Sequence, residues 1–164
     1  AVVWRHGIRT LTLGLALSCL LGGAMLLGGA FTLDGKPQQD RVDWQPLSEQ
    51  AIALALAQNK RVFVDVTADW CITCKANKFN VLLRDDVQQA LSAPDVVALR
   101  GDWSRPSNTI ASFLRQRGSV AIPFNQIYGP GLTDGEILSP LLDRSTLLAT
   151  LSQAGIAPSQ GETK

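Results

Sequence analysis

The sequence predicts an α/β fold in which helices flank a central mixed β-sheet. Between residues 42 and 156, segments with apolar residues at helical spacing alternate with short β-branched runs. Hydrophobic residues make up 46% of the 164 residues and charged residues 18%, so the chain can bury a core and is not disordered overall. Elements that alternate in this way are typical of a sheet sandwiched between helices.

The first half of this region is predicted to hold three helices and one strand. Ser48 is a good N-cap residue, and the Ala-rich segment after it predicts a helix that stops near Asn59. The run RVFVDVTA, residues 61–68, predicts a buried strand. A helix over 71–83 and a second helical piece over 86–91 are expected to follow.

The second half is predicted to hold three strands and two helices. The run DVVALRG predicts a strand over 95–101, and residues 107–118 predict a helix that ends at its glycine. The next strand, over 122–131, is introduced by proline and closes in a Gly-Pro-Gly turn. A last strand over 135–142 and a helix over 143–155 complete the domain.

The N-terminal segment is predicted to cross a membrane. No charged residue occurs from Thr10 to Leu33, and at about 1.5 Å per residue this run spans roughly 36 Å, more than the ~30 Å hydrocarbon core of a bilayer. Arg5 and Arg9 precede the run, so the N-terminal end is expected in the cytoplasm and the rest of the chain on the outer side. A cleavable signal peptide, whose apolar region is usually shorter, and a buried soluble helix are the alternatives.

These observations divide the chain into four parts. Residues 1–33 are assigned to the transmembrane helix with a short cytoplasmic flank, 34–41 to a linker, 42–156 to the folded domain and 157–164 to a flexible tail. The chain begins with Ala1 instead of methionine, which indicates the C-terminal part of a larger protein.

Charge and residue usage exclude several classes of function. The formal net charge is +1, and the chain has no basic run of the kind that binds nucleic acid. Three cysteines are too few for a disulfide-stapled mini-protein. The single histidine, His6, lies in the N-terminal segment and leaves most metal sites and catalytic triads without a ligand or base.

Cys71 and Cys74, in the run ADWCITCK, are predicted to form a redox-active pair. A structural zinc would need four ligands, and neither His6 nor Cys19 can reach the pair from across a membrane. Cys19 is expected to be a small apolar filler within the span. Two inert buried thiols are the other alternative, but the pair falls at a strand-to-helix junction, where α/β sheets usually place their chemistry.

The spacing of the two cysteines predicts different roles for them. In the first turn of a helix, unpaired N–H groups and the helix dipole would stabilise a Cys71 thiolate, the form that attacks a disulfide. Cys74, one turn further along, would resolve the mixed disulfide. Cys71 is therefore expected to be the exposed attacker and Cys74 the more buried partner. No metal or organic cofactor is predicted besides this disulfide.

Four further residues are predicted to support the pair. Asp65 stands in an apolar strand and is expected to accept the proton of Cys74, directly or through water; a solvated residue at a strand end is the alternative. A cis peptide bond before Pro123 would leave the backbone of Ile122 free to pair with an incoming peptide. Trp70 is expected to pack as a lid beside the site.

A strand followed by ADWCITCK, a helix, and IPF about fifty residues later together resemble the thioredoxin superfamily. The resemblance covers roughly residues 42–155. With an apolar span directly in front, the chain is similar to the C-terminal end of DsbD-type transmembrane thiol:disulfide interchange proteins, and GDWSRP is closer to their ScsB-like branch. In that family, a polytopic membrane domain passes electrons from cytoplasmic thioredoxin to a periplasmic thioredoxin-like domain.

The resemblance implies a nucleophile at Cys71, a resolving thiol at Cys74, a buried acid at Asp65 and a cis proline at Pro123. This sequence departs from the family at Lys78. DsbD-type domains commonly have an acidic residue at that position, which keeps the pKa of the attacking thiol high. A cation there would favour the thiolate instead.

The predicted function is therefore that of a protein-disulfide reductase, anchored in the inner membrane with its catalytic domain in the periplasm. Its expected partners are an upstream membrane electron-transfer domain and disulfide-containing periplasmic proteins. Two alternatives stay open. One is a membrane-anchored thioredoxin-like protein for cytochrome c maturation or thiol oxidation, and the other is a non-catalytic interaction domain with the same fold.

Overall fold

The central feature of the domain is a five-stranded mixed sheet. The computed structural model describes residues 39–156. Its strands are β1 (Gln45–Pro46), β2 (Arg61–Thr67), β3 (Val96–Asp102), β4 (Phe124–Gly129) and β5 (Leu132–Ile137), and their order across the sheet is β1-β3-β2-β4-β5. The pairs β1/β3 and β3/β2 are parallel, whereas β2/β4 and β4/β5 are antiparallel.

Helices cover both faces of this sheet. They are α1 (Glu49–Ala57), α2 (Ile72–Asn77), α3 (Asp85–Leu91), α4 (Asn108–Gln116) and α5 (Arg144–Ala154), with a π-helical turn (Lys78–Leu82) directly after α2. The parallel pair β2/β3 is connected through α2 and α3, which is the crossover that parallel strands require. The α/β class predicted from the sequence is confirmed.

Strand β2 lies at the middle of the sheet and is buried from residue 62 to residue 66. Its alternate side chains enter two different cores. Val62, Val64 and Val66 pack with residues of α1 and α4, while Phe63 packs with residues of α3 and α5. A strand buried on both faces explains the continuous apolar run in the sequence, and it makes the carboxylate of Asp65 the exception.

Most element boundaries follow the sequence prediction. Ser48 caps α1, since its Oγ accepts a hydrogen bond from the backbone N–H of Ala51 at 3.0 Å. Gly118 follows the last residue of α4 and its C-cap with φ of +70°, a conformation that glycine adopts without a steric cost.

The structure differs from the sequence prediction at three places. The predicted helix over 71–83 is α-helical only to Asn77 and continues as the π-helical turn, in which the N–H of Leu83 bonds to the carbonyl of Lys78. Strand β1 was not predicted, because two residues carry no periodicity. The last strand is 132–137 and not 135–142.

β5 starts earlier in the chain than predicted because of the turn before it. Gly129 pairs with Leu132, so the chain reverses over two residues and the strand starts directly after Gly131. At the other end, β5 ends at Ile137, and Pro140 further on has no N–H with which to continue a ladder. The side chain of Asn77 takes over, donating to the carbonyl of Pro140 at 2.8 Å and accepting from the N–H of Leu142 at 3.0 Å.

The predicted membrane span, the beginning of the linker and the whole of the predicted tail lie outside the described residues. Within residues 39–156, no helix is long and apolar enough to cross a membrane.

The end of α5 packs closely on the β4–β5 turn through a glycine. A Cβ atom at Gly129 would overlap the carbonyl oxygen of Ala154, and the same carbonyl accepts the N–H of Gly131 at 2.9 Å. Gly129→Ala is therefore expected to lower the free energy of unfolding by about 1–3 kcal/mol, because backbone atoms must move apart. Urea unfolding measures this change.

Gly155→Ala is the matched control for this substitution. Its Cβ would meet a side-chain atom, Cδ of Arg61, at 3.2 Å, and its nearest backbone neighbour, the carbonyl oxygen of Ser152, only at 3.4 Å. We expect a loss below about 0.5 kcal/mol for it. Equal losses in the two variants would show that the approach of Gly129 to α5 does not constrain the fold.

Candidate redox site

The two cysteines of the CxxC motif form a disulfide where β2 gives way to α2. The Cys71–Cys74 bond has an S–S distance of 2.04 Å and a Cα–Cα distance of 5.2 Å. Cys71 is the N-cap residue of α2, with extended backbone angles, and its Sγ accepts a hydrogen bond from the N–H of Cys74 at 3.1 Å. This N–H lies in the first turn of α2 and has no carbonyl acceptor within the helix. The sulfur that the sequence assigns as the attacker therefore accepts a hydrogen bond that would otherwise be unmade.

The two sulfurs are covered to the same extent in this disulfide form. Cys71 is 6% exposed and Cys74 5%, and both pack with Ala68 and Ile122 in a small apolar cluster. The expected difference between an exposed Cys71 and a buried Cys74 is therefore absent. The reason is covalent, because closing the ring places the two sulfurs against each other beneath the same neighbours.

The segment before β4 lies against the disulfide. The Ile122–Pro123 peptide bond is cis, the geometry that the sequence predicted. Within the part of the chain that the structure describes, neither the N–H nor the C=O of Ile122 bonds to another backbone group. Ile122 therefore offers unpaired backbone groups next to the sulfurs.

Three exposed apolar side chains lie close in sequence to these two segments, and they are called the exposed rim below. Trp70 and Ile72 flank Cys71 in sequence, and Val120 precedes the cis bond by two residues. All three are mostly exposed, and Ile72 reaches 83%. Trp70 does not belong to the apolar cluster around the sulfurs, so its role as a lid stays a prediction.

Asp65 lies in the interior of the sheet and is 5% exposed. Its Oδ2 accepts a hydrogen bond from Nε of Arg100 at 3.0 Å and forms an ion pair with Nη2 of the same arginine at 3.0 Å. Its Oδ1 accepts a hydrogen bond from Nδ2 of Asn125 at 3.1 Å. Burial raises the pKa of Asp65, and the charge of Arg100 and the hydrogen bond from Asn125 oppose this increase only in part. The alternative of a solvated residue at a strand end is excluded.

Arg100 connects this acid to the start of the domain. Its guanidinium carbon lies 3.6 Å from the ring centroid of Trp44, a cation–π geometry, and its Nη1 is 3.3 Å from Oδ2 of Asp40. Burial tends to raise the pKa of Asp40, but hydrogen bonds from Gln88 and Trp44 and the charge of Arg100 hold it below its usual value. Two carboxylates thus share one arginine.

Sequence reasoning did not single out Arg100 or Asn125. Both could have been noticed in the sequence, because Arg100 is a charged residue within the apolar strand VVALRG and Asn125 is an amide directly after IPF. What the sequence could not show is the register that places both opposite Asp65.

Other predicted features bear less directly on the site. Lys78 is exposed and begins the π-helical turn, so its influence on Cys71 stays a prediction. Cys19 and His6 lie outside the described residues. Among residues 39–156, no group of three or more His, Cys, Asp or Glu side chains is arranged to hold a metal ion.

Comparison with known families agrees with this geometry. A model of the Thioredoxin-like family matches residues 43–130, which is more than half of the chain. The thiol:disulfide interchange protein DsbD of Pseudoalteromonas atlantica is 27% identical over 130 residues, and the DsbD of Yersinia pestis is 30% identical over 123 residues. These matches cover 75% and 71% of this chain but only 22% and 20% of the relatives, so the chain spans about a fifth of their length.

Solved structures show the same fold. A thioredoxin from Thermus thermophilus superposes with a TM-score of 0.53 at 23% identity, over 68% of this chain and 85% of that protein. The reduced C-terminal domain of DsbD from Neisseria meningitidis superposes with a TM-score of 0.51 at 21% identity, over 67% of this chain and 99% of that domain.

Because the pKa of Asp65 is raised, the free energy of unfolding is expected to depend on pH. The folded state holds the Asp65 proton more tightly than the unfolded state, whose pKa is near 3.8. The stabilising contribution is therefore complete at low pH and is lost as the pH rises above about 4, by at most about 1.4 kcal/mol per pH unit. Relative to Asp65→Asn, which cannot ionise, the wild type is expected to lose stability from pH 4 to pH 8 in urea unfolding.

Asp134→Asn is the control, since Asp134 is an exposed carboxylate on β5. Its unfolding free energy should follow the wild type at every pH. If the Asp65→Asn variant also runs parallel to the wild type, the folded state does not perturb Asp65.

Proposed function

The chain belongs to the thioredoxin-like family, and we propose that its described domain is a protein-disulfide reductase that uses Cys71 and Cys74 to reduce disulfides of partner proteins. The observation that carries this proposal is the Cys71–Cys74 disulfide at the N-terminus of α2, next to the cis peptide bond before Pro123. The similarity to thiol:disulfide interchange proteins supports the same chemistry.

The reaction transfers two electrons through sulfur exchange. In the dithiol form, the Cys71 thiolate attacks one sulfur of a partner disulfide, a mixed disulfide forms, and the other partner sulfur leaves and takes up a proton. The Cys74 thiol then loses its proton, and its sulfur attacks Sγ of Cys71. The Cys71–Cys74 disulfide forms, the second partner sulfur leaves and is protonated, and the partner is reduced while the domain is oxidised.

Each group is assigned to one step of this reaction. The N–H of Cys74 bonds to Sγ of Cys71 at 3.1 Å and would stabilise negative charge on the attacking sulfur. Asp65 is the proposed acceptor of the Cys74 proton, since burial raises its pKa and so increases its affinity for a proton. The Cys71–Cys74 ring is small enough for the second attack to be intramolecular.

The partner is proposed to dock on the exposed rim of Trp70, Ile72 and Val120. Apolar residues of this size are costly to leave in water, and they lie close in sequence to Cys71 and to Ile122, whose backbone groups are unpaired within the described residues. An extended partner segment would pair with Ile122 and bring its own disulfide over Cys71.

The source of electrons is proposed to be a membrane domain that precedes this one, as the resemblance implies. The apolar run from Thr10 to Leu33 and the small share of each DsbD relative that the chain covers support this arrangement. The catalytic domain would then face the periplasm.

Single cysteine variants test the assigned roles. Cys74→Ser retains the attacking thiol but cannot resolve the mixed disulfide, so it is expected to accumulate covalent adducts with a disulfide-containing substrate such as insulin. Cys71→Ser is expected to trap none, and both variants should lose catalytic insulin reduction. Non-reducing gel electrophoresis measures the adducts. Equal trapping by the two variants would contradict the roles, and turnover in either would contradict the mechanism.

A charge on the rim tests the docking surface. Ile72→Asp is expected to slow reduction of insulin by about tenfold, because a desolvated apolar contact of this kind is worth on the order of 1.4 kcal/mol. Oxidised dithiothreitol is too small to use the rim, so its exchange with the reduced domain should change by less than about twofold. Stopped-flow tryptophan fluorescence follows both reactions.

Leu54→Asp is the matched control, since Leu54 is an exposed leucine on α1, away in sequence from both cysteines. It should leave both rates unchanged. If Ile72→Asp slows the two substrates equally, the rim acts on the thiols and not on docking.

A further inference from the structure

Asn125 is a buried amide that the mechanism above does not use. It lies in β4 with 1% of its surface exposed, directly opposite Asp65 in the antiparallel β2/β4 pair. Its Nδ2 donates to Oδ1 of Asp65 at 3.1 Å and reaches the carbonyl of Val64 at 3.4 Å. Its Oδ1 is buried and has no hydrogen-bond partner among the described residues. Most buried polar atoms are paired, so this oxygen requires an explanation.

The arrangement around Asp65 restricts where a proton can bind. Oδ2 faces Nε and Nη2 of Arg100, and a guanidinium only donates hydrogen bonds. A proton on Oδ2 would therefore oppose two donors. Oδ1 faces only Asn125, so it is the oxygen that takes the proton. The new O–H then points at Nδ2, which is again a donor.

A rotation of the amide removes this conflict. The Cβ–Cγ torsion of asparagine has two broad orientations related by about 180°, and they exchange the positions of Nδ2 and Oδ1. In the second orientation, Oδ1 accepts the O–H of protonated Asp65 and is no longer unpaired. The rotation reverses the bond to Asp65, gives up the long contact from Nδ2 to the carbonyl of Val64, and moves Nδ2 to the position where Oδ1 has no partner among the described residues. These losses are the cost that the new bond from the Asp65 O–H to Oδ1 must offset.

We propose that Asn125 is the positioning residue for the proton of Asp65. Its Nδ2 holds the carboxylate while Cys74 is still a thiol, and its Oδ1 accepts from the acid after the proton has moved from Sγ of Cys74 to Oδ1 of Asp65. One buried amide thus stabilises both protonation states in turn. This role rests on the proposed function, in which Asp65 takes the proton of Cys74.

The charged groups that face Asp65 come from two places. Arg100 on β3 binds it directly, and Asp40 acts on it through the shared arginine. In the disulfide form the two cysteines do not titrate. A titration of the oxidised protein therefore reports on Asp65 without interference from thiols.

The test is an NMR titration of the full-length chain in its disulfide form. Wild-type Asn125 side-chain amide signals are expected to change with the same midpoint as the Asp65 carboxyl carbon, and contacts between the Nδ2 protons and the Asp65 side chain should weaken below that midpoint. Asn125→Leu removes both the donor to the carboxylate and the acceptor for the acid. Because a hydrogen bond to the charged form is the stronger of the two, its Asp65 midpoint should move upward, by up to about a tenfold change in proton affinity. The optimum of its insulin-reduction rate should move upward with it.

Gln126→Leu is the matched control, because Gln126 is a buried amide on the same strand that bonds to Arg117 and Tyr128 instead. Its Asp65 midpoint should equal that of the wild type. The proposal is overturned if the Asn125 signals do not follow Asp65, or if the two leucine variants give the same midpoint. The wild-type titration decides the matter even if Asn125→Leu does not fold.

The outcome is separable from that of the proposed function. Absence of insulin reduction in the wild type would overturn the reductase assignment and would leave the titration of Asp65 and Asn125 unaffected. Conversely, if the Asn125 amide does not respond to Asp65, the proposed cysteine exchange still stands and only the positioning role of Asn125 is overturned.

Discussion

Burial of the Asp65 charge at the centre of the sheet is the constraint that organises this domain. A carboxylate there costs several kcal/mol unless donors replace the lost water. Arg100 and Asn125 supply those donors, and both are direct register partners of Asp65, one on each neighbouring strand. A one-residue slip of either strand would turn its donor to the opposite face. The charge therefore specifies the pairing of three strands at the level of the redox site.

The same constraint connects the chemistry to the rest of the fold. β2 ends in the segment that carries the disulfide, β4 begins directly after the cis bond, and β3 supplies the arginine. Through Asp40 and Trp44, the start of the domain also packs on that arginine. The proposed nucleophile, the backbone proposed for partner pairing and the proposed proton acceptor thus lie on, or within a few residues of, two adjacent strands, β2 and β4.

Much of this could be predicted from local sequence signals. The CxxC spacing, the apolar strand before it and the IPF run indicated the fold, the disulfide partners and the cis proline. The signals failed where geometry is set by distant residues. Nothing local marks Arg100 and Asn125 as partners of Asp65, since that follows from register. The equal burial of Cys71 and Cys74 follows from ring closure, and the start of β5 from a two-residue turn.

The edges of the described sheet carry a consequence for assembly. β1 is two residues long and ends in Pro46, which has no N–H to offer, and the outer strand β5 carries the exposed charges of Asp134 and Glu136. Short strands, proline and charge are the features that discourage a foreign chain from extending a sheet sideways. A domain that reduces disulfides of other polypeptides, as proposed here, would in this way be protected from co-aggregating with them, and the stretch before Pro123 would stay open as the backbone for partner pairing.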